Sequence, residues 1–410
     1  MGRSAIYLVM GMTFIFLFFG RTMNDSGTEA FENAILYYEY TQSYNIADAG
    51  ANLACNQIFL DRNWRTGFSH VVMNDGEFSV DVDTTTYADK VLLTSTGIFQ
   101  QDTHIVRVLL SPSSFSKFAM YSGNVSSAAK MRAGDTIDGP IHVNGELATQ
   151  GNPVFTERAT MGELKTASGS PTFMGGYQEG VNIDFPAYTT SADAIEAAAN
   201  ADAGTLNTFT GPGELWLKFS VSGGVTKVQY KYNVSAVWSA EVLLSTFAPS
   251  GNIAVVNGEL HVEGTFSGQV SLTSKVSPSS TTPSATVGAT YIEDDLRYYT
   301  DPLITPTSTD MLGLVSAGNI EIRELPIRMD GAFFTNENAT LESSLRNNSI
   351  EQVKIVGSLI SKEINSTDFG TGTSKGANFY MKYDSRLENT PPNNFPFPTT
   401  NSFEVLSWFE

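Results

Sequence analysis

Ser4 to Phe19 reads SAIYLVMGMTFIFLFF, and Thr28 to Asp61 reads TEAFENAILYYEYTQSYNIADAGANLACNQIFLD; the fold turns on these two stretches and the polar interval between them. The first is apolar almost without a break and is flanked by Arg3 and Arg21. As a helix it spans roughly 24 Å. That is shorter than the roughly 30 Å hydrocarbon core of a bilayer, and it suits a signal h-region, a short anchor or a segment that later leaves the membrane. A cleaved signal leads into a folded-domain start, whereas here the chain passes Arg21 and resumes as helix, so cleavage after the run is not expected. Asn24, Asp25, Ser26 and Gly27 are poor helix formers, which predicts a break near residues 20–27. Beyond it Leu36, Tyr40, Tyr44, Ala47, Ala51, Cys55 and Ile58 recur every three or four residues as one stripe. Phe31, Ala34, Ile35, Tyr37 and Tyr38 make the first half apolar on nearly every side, as in a helix surrounded by helices. The small residues Ala47, Ala49, Gly50, Ala51 and Ala54 permit close backbone approach. The expected helix-bundling surface is therefore Ile6, Leu8, Val9, Phe14, Ile15, Phe16, Leu17, Phe18, Phe31, Ile35, Leu36, Tyr38, Tyr40, Tyr44, Ala47 and Ala51. The plainer alternative is a lone membrane anchor followed by a stalk helix.

Outward from the helix, Glu77 to Pro112 reads as an antiparallel β-meander. Phe78, Val80 and Val82 alternate with polar residues, Val91 to Leu93 leads into Ser95-Thr96-Gly97, and Ile105 to Leu110 supplies a third strand. Farther on, glycines at 134, 139, 145 and 151, and again at 251, 258, 264 and 268, separate short strand-like pieces. Val143-Asn144-Gly145-Glu146-Leu147 reappears as Val256-Asn257-Gly258-Glu259-Leu260. This spacing predicts β-solenoid rungs, with an ordinary β-sandwich as the alternative. Ser191 to Ala203 is a helix candidate, and Leu215 to Tyr232 is a hairpin turning at Gly223-Gly224. Both sit in an insertion at about 177–250. Ser274 to Thr286 reads as an exposed loop, Leu314 to Ile322 and Val353 to Ile360 as strand groups, and Pro391 to Pro398 as a proline-rich tail. The expected class is α+β: a helical segment 1–66, a sheet 67–113, and a β-rich head 114–410.

The chain of 410 residues carries 43 acidic against 24 basic residues, a formal charge of -19. That repels polyanions, so no nucleic-acid partner is expected. One cysteine, Cys55, allows no intrachain disulfide. Gly372-Thr373-Ser374-Lys375-Gly376 matches the nucleophile-elbow spacing, but no histidine follows His261 to complete a triad. His70, His104, His142 and His261 are scattered, and no pair has a helical zinc spacing, so they read as structural. Asp81-Val82-Asp83, and Glu293-Asp294-Asp295 with Asp301, carry oxygen ligands without a calcium-loop spacing. Phosphate-binding and dinucleotide motifs are missing. No catalytic, cofactor-binding or metal site is expected, and the chain reads as a non-enzyme.

The amino-terminal part resembles type IV pilin-like and pilus-assembly proteins. The residues that carry this are the apolar run, Asn45 to Ala54, Asn56-Gln57-Ile58-Phe59, Trp64 and Ser95-Thr96-Gly97. The remainder resembles the large carboxy-terminal domain that accompanies this amino terminus in some of those proteins, through Asp138 to Gly145, Gly151 to Phe155, Tyr291 to Leu296, Leu312 to Val315, Tyr383 to Leu387, Pro391-Pro392 and Phe395-Pro396. One departure is plain. Were the leader cut after Gly2, the fifth position of the mature helix would be Tyr7, not the glutamate of the family. The resemblance implies a homo-oligomeric helical filament on the cell surface, with subunits held in the inner membrane and handled by the pilus assembly machinery before assembly. The alternative is a membrane-anchored β-solenoid adhesin or carbohydrate-binding protein that never polymerises, with Trp216, Trp238 and Tyr230 exposed for stacking on sugars. A solenoid polysaccharide lyase or hydrolase trails both.

Overall fold

The computed structural model describes residues 2–61, 63–87, 90–112, 114–125, 130–202, 207–277, 287–347, 349–365, 375–396 and 403–409. These divide into two compact units, 1–113 with 401–410, and 114–400.

In the first unit α1 runs as one helix from Gly2 to Leu60, roughly 88 Å at 1.5 Å per residue. The break expected near residues 20–27 does not occur. Asn24 to Gly27 cost about 2–3 kcal/mol of helix propensity relative to alanine, but none is a proline, so no backbone donor is removed. The Thr28 hydroxyl also donates back to the Asn24 carbonyl at 3.0 Å.

Four strands follow, β1 (Phe68–Met73), β2 (Gly76–Asp83), β3 (Val91–Phe99) and β4 (Asp102–Pro112), all antiparallel to their neighbours. The meander expected from 77–112 is present. β1 is an addition, joined to β2 through Asn74 and Asp75, both left-handed at φ 48° and 62°. β3 alternates buried and half-buried residues along its whole length. Its inward positions, Val91, Leu93, Ser95, Gly97 and Phe99, form a core with Ile46, Ala47, Ala51, Ala54 and Ile58 of α1. The strand Phe403–Phe409 pairs antiparallel with β4 and closes this sheet. That corrects the expectation that everything from 114 to 410 forms one head, because the last strand belongs with residues 1–113.

In the second unit the ladders are mostly parallel. Ile141 pairs with Ala159, Asn252 with Ser271 and Met120 with Ile141, partners 18, 19 and 21 residues apart. A sandwich of antiparallel sheets does not produce that pattern. Asn252–Val256 and Met311–Ser316 are buried at every position, as expected of parallel strands covered on both faces. One face packs Val143, Leu147, Val262, Leu272, Leu314 and Phe333. The other packs Phe118, Tyr121, Val315, Phe334 and Ile360, together with Tyr188 and Ile195 of α2 (Tyr188–Ala201) and Phe395. The proline-rich tail is thus partly core up to Pro396, with Phe395 fully buried. Lys275, only 5% exposed, fastens α2 through Asp193 and through Glu196 at 2.6 Å.

The hairpin turns where expected, with Ser222 opposite Val225 and both Gly223 (φ 61°) and Gly224 (φ 77°) in the left-handed region a two-residue hairpin demands. Its first strand, Glu214–Ser222, also pairs in parallel with Glu259–Phe266. The segment 177–250 is therefore built into the ladders and is not a separate insertion. Ser274 and Lys275 end a strand, so the loop begins later than expected, and residues 278–286 lie outside the described residues. The stretch 314–322 is split between strands Met311–Ser316 and Ile320–Ile322.

Candidate functional site

Two features of the structure stand apart from ordinary packing. The first is the free part of α1. Every residue from Arg3 to Tyr38 is exposed. Phe14, Phe16 and Phe18 show 66%, 72% and 71% of their surface. This is the one helix among the described residues long and apolar enough to cross a membrane. Of the expected bundling surface, Ile6, Leu8, Val9, Phe14, Ile15, Phe16, Leu17, Phe18, Phe31, Ile35 and Leu36 are left open.

The carboxy-terminal members of that surface are engaged within the chain. Tyr38 meets Phe99 edge-on at 5.7 Å, and Tyr40 and Tyr44 bracket the His104 ring, each at 5.1 Å. Ala47 and Ala51 are fully buried, which corrects the expectation that they face other subunits. Their smallness serves the chain's own sheet. A Cβ on Gly97 would lie 2.4 Å from the Ala47 nitrogen, and one on Gly50 would lie 2.6 Å from Ser95 Oγ. Ser95 Oγ, buried, donates to the Ala47 carbonyl at 2.7 Å.

The second feature is a polar cluster on the hairpin side of the second unit. Register builds it. Parallel pairing sets Glu214 beside Glu259 and Trp216 beside His261, and the next strand, Thr290–Tyr298, sets Tyr291 beside His261. The rings stack accordingly, Trp216 on His261 at 3.9 Å and His261 on Tyr291 at 4.6 Å, with the Arg323 guanidinium 3.9 Å over Tyr291. Lys231 Nζ covers the outer edge, 4.4 Å from the Trp216 ring and 4.8 Å from that of Trp238. Trp216, Trp238 and Tyr230 are half-buried, not exposed as expected, and Tyr230 packs on Phe247 at 5.2 Å. Their faces are largely taken by protein groups.

His261 Nδ1 lies 2.6 Å from Glu293 Oε1. An ionised carboxylate only accepts, so Nδ1 carries the hydrogen. His261 Nε2 is buried without a hydrogen-bond partner, a condition that costs about 1–3 kcal/mol if nothing relieves it. His142 is the contrast. Its Nδ1 meets Thr160 Oγ1 at 2.7 Å and its Nε2 meets Asn144 Oδ1 at 2.8 Å, so both nitrogens are used. Burial pushes the His142 imidazole below its ordinary pKa. Near His261, burial raises the Glu259 carboxyl, His261 opposes that shift and Glu214 adds to it. Burial and then the Glu259 charge push the Tyr291 hydroxyl up to about 12.

The other candidates disperse. The Asp83 carboxylate accepts from the Thr85 backbone and hydroxyl at 2.7 and 2.8 Å and caps its own turn. Asp295 accepts from the Arg328 backbone and Asp301 pairs with the Arg328 side chain, each at 2.7 Å, while Glu293 turns to His261. The elbow-like run 372–376 lies outside the described residues up to Ser374. Sequence reasoning missed Glu214 and Glu259, and it grouped Glu293 with Asp294, Asp295 and Asp301 where the structure sets it on His261. Glu259-Leu260-His261 placed two polar groups on one strand face, but pairing Glu214 with Glu259 needs the register, which no local pattern supplies.

No family model matches the chain, and no curated protein matches it. Among solved structures, the chain is similar to the competence-associated pilin ComZ from Thermus thermophilus, with TM-score 0.37 and 12% sequence identity over 90% of this chain and 97% of that one.

Proposed function

We propose that this protein is a non-enzymatic structural subunit of a type IV pilus-like extracellular filament, polymerising through the free part of α1 and displaying an acidic β-solenoid head. The observation that carries the proposal is that α1 is exposed at every position from Arg3 to Tyr38, the apolar run 4–19 and Phe31, Ile35 and Leu36 included. Apolar surface in water costs about 25 cal/mol per Å², so this segment requires an apolar surrounding. Lipid provides it before assembly, and the same segment of neighbouring copies provides it afterwards. A tether in lipid alone needs only the run 4–19. The apolar positions continue through Phe31, Ile35 and Leu36, beyond what roughly 30 Å of hydrocarbon covers, and this favours helix-to-helix burial. The solenoid part of the reading is supported by parallel partners 18 to 21 residues apart. The partners are then copies of the chain and an inner-membrane assembly machinery, and the location is the cell surface.

Deleting residues 1–30 is expected to leave a soluble monomeric head, while the full-length chain yields filaments in sheared surface material under electron cryo-microscopy. Filaments from the truncated protein, or full-length protein found on cells only as single bilayer-held copies, would overturn the proposal.

A further inference from the structure

The ladder between Glu214–Ser222 and Glu259–Phe266 treats charge in two ways. Lys218 stands beside Glu263 and the two are joined at 2.7 Å. Four residues earlier the same register sets Glu214 beside Glu259, carboxylate against carboxylate. Backbones there are about 4.8 Å apart, and like charges at that spacing repel unless a cation lies between them. His261 sits beside this pair, 3% exposed, its unpartnered Nε2 3.9 Å from Glu259 Oε2. With Nδ1 donating to Glu293, the neutral ring presents its lone pair at Nε2. One donor atom from each of Glu214, Glu259 and His261 falls within 4.8 Å of the others.

We propose that Glu214, Glu259 and His261 bind one first-row divalent metal ion, with Glu293 as the positioning residue that fixes the His261 ring. Glu214 is already oriented, because its Oε2 accepts from Trp216 Nε1 at 2.7 Å and from the Val234 nitrogen at 2.9 Å, which leaves Oε1 to ligate. A carboxylate behind a ligating histidine is the usual support of such sites. Two donors on a tetrahedral ion with bonds of about 2.0–2.2 Å lie about 3.3–3.6 Å apart. The 3.9 Å gap therefore closes by a few tenths of an ångström on binding. One imidazole with two carboxylates suits zinc or manganese, whereas calcium and magnesium take oxygen ligands alone. Water completes the coordination. The site is independent of the filament reading.

The test uses the untagged full-length chain in detergent, stripped with a chelator and titrated with Zn²⁺ by calorimetry and with Co²⁺ by visible absorption. One equivalent of Zn²⁺ is expected, displacing Co²⁺ from a low-symmetry spectrum. Glu214→Gln and Glu259→Gln, which keep side-chain shape, are expected to weaken binding at least about tenfold, and Glu293→Gln about 10 to 100-fold, with circular dichroism confirming the fold. A Co²⁺ spectrum no different from the aqueous ion, or Zn²⁺ affinity unchanged in folded Glu214→Gln and Glu259→Gln, would overturn the site. Should those variants fail to fold, the wild-type Co²⁺ spectrum alone decides.

Discussion

The two parts of α1 share one unbroken helix and meet opposite fates. Up to Tyr38 every residue is exposed, whereas from Ser43 onward Ile46, Ala47, Gly50, Ala51, Ala54 and Ile58 lie buried against β2, β3 and β4. Apolar content does not separate them, since the exposed part is the greasier. Shape does. The buried part presents small residues along one face, so that backbone meets sheet at Gly50 and Gly97, with Ile46 and Ile58 filling the flanks. The exposed part carries Phe14, Phe16, Phe18, Phe31 and Tyr37 around its circumference, and a single sheet cannot cover all sides of a helix. A face with one partner inside the chain becomes core. A surface with no inside partner calls for an apolar surrounding outside the chain.

The strongest challenge to this contrast is Phe14→Asp combined with Phe18→Asp, expected to abolish the proposed assembly in sedimentation and electron microscopy while leaving the melting temperature of the first unit unchanged. A fall in melting temperature would mean that the exposed part contributes to the fold. Next in size, Gly50→Leu forces a side chain against Ser95 and Phe78, and thermal denaturation should record a loss of about 3 kcal/mol or more. Ile46→Ala removes a side chain only 1% exposed and is expected to cost about 2–4 kcal/mol in urea unfolding. Ser95→Ala strips the Ala47 carbonyl of its 2.7 Å donor, for about 1 kcal/mol by the same measurement. Smallest of all, Arg21→Ala breaks a 3.9 Å pair with Asp25 whose Arg21 side chain is 85% exposed, and it should leave stability unchanged within error.

Much of the architecture was legible from local pattern. The 3.6-residue stripe marked α1, alternation marked β2, the run Val91 to Leu93 before Ser95-Thr96-Gly97 marked β3, and adjacent glycines at 223 and 224 marked the hairpin turn. Where local pattern misled, either the continuity of the backbone ladder or a long-range partner had decided. The helix passed through Asn24 to Gly27 because a propensity penalty alone does not break a backbone ladder. The alanines 47 and 51 looked suited to a neighbouring helix and instead received the chain's own β3. The candidate cluster was hidden for the same reason, since Glu214 and His261 are 47 residues apart in sequence and meet only through strand register.

The twice-used Val-Asn-Gly-Glu-Leu gives the sharpest division. At 143–147 it lies inside the extended strand Ile141–Gln150, where Asn144 holds His142 and the Ile183 nitrogen. At 256–260 Asn257 turns left-handed at φ 61° and the chain passes from one strand to the next. The amino-acid sequence by itself determined most of the helix and strand segments, which faces are apolar and that the front of the helix cannot be left in water, because these follow from periodicity and side-chain chemistry within a few residues. Only the tertiary structure decided whether that pentapeptide runs on or turns, which strand closes the first sheet, and that His261 keeps an unpartnered nitrogen beside two carboxylates, because each depends on groups brought together across tens to hundreds of residues.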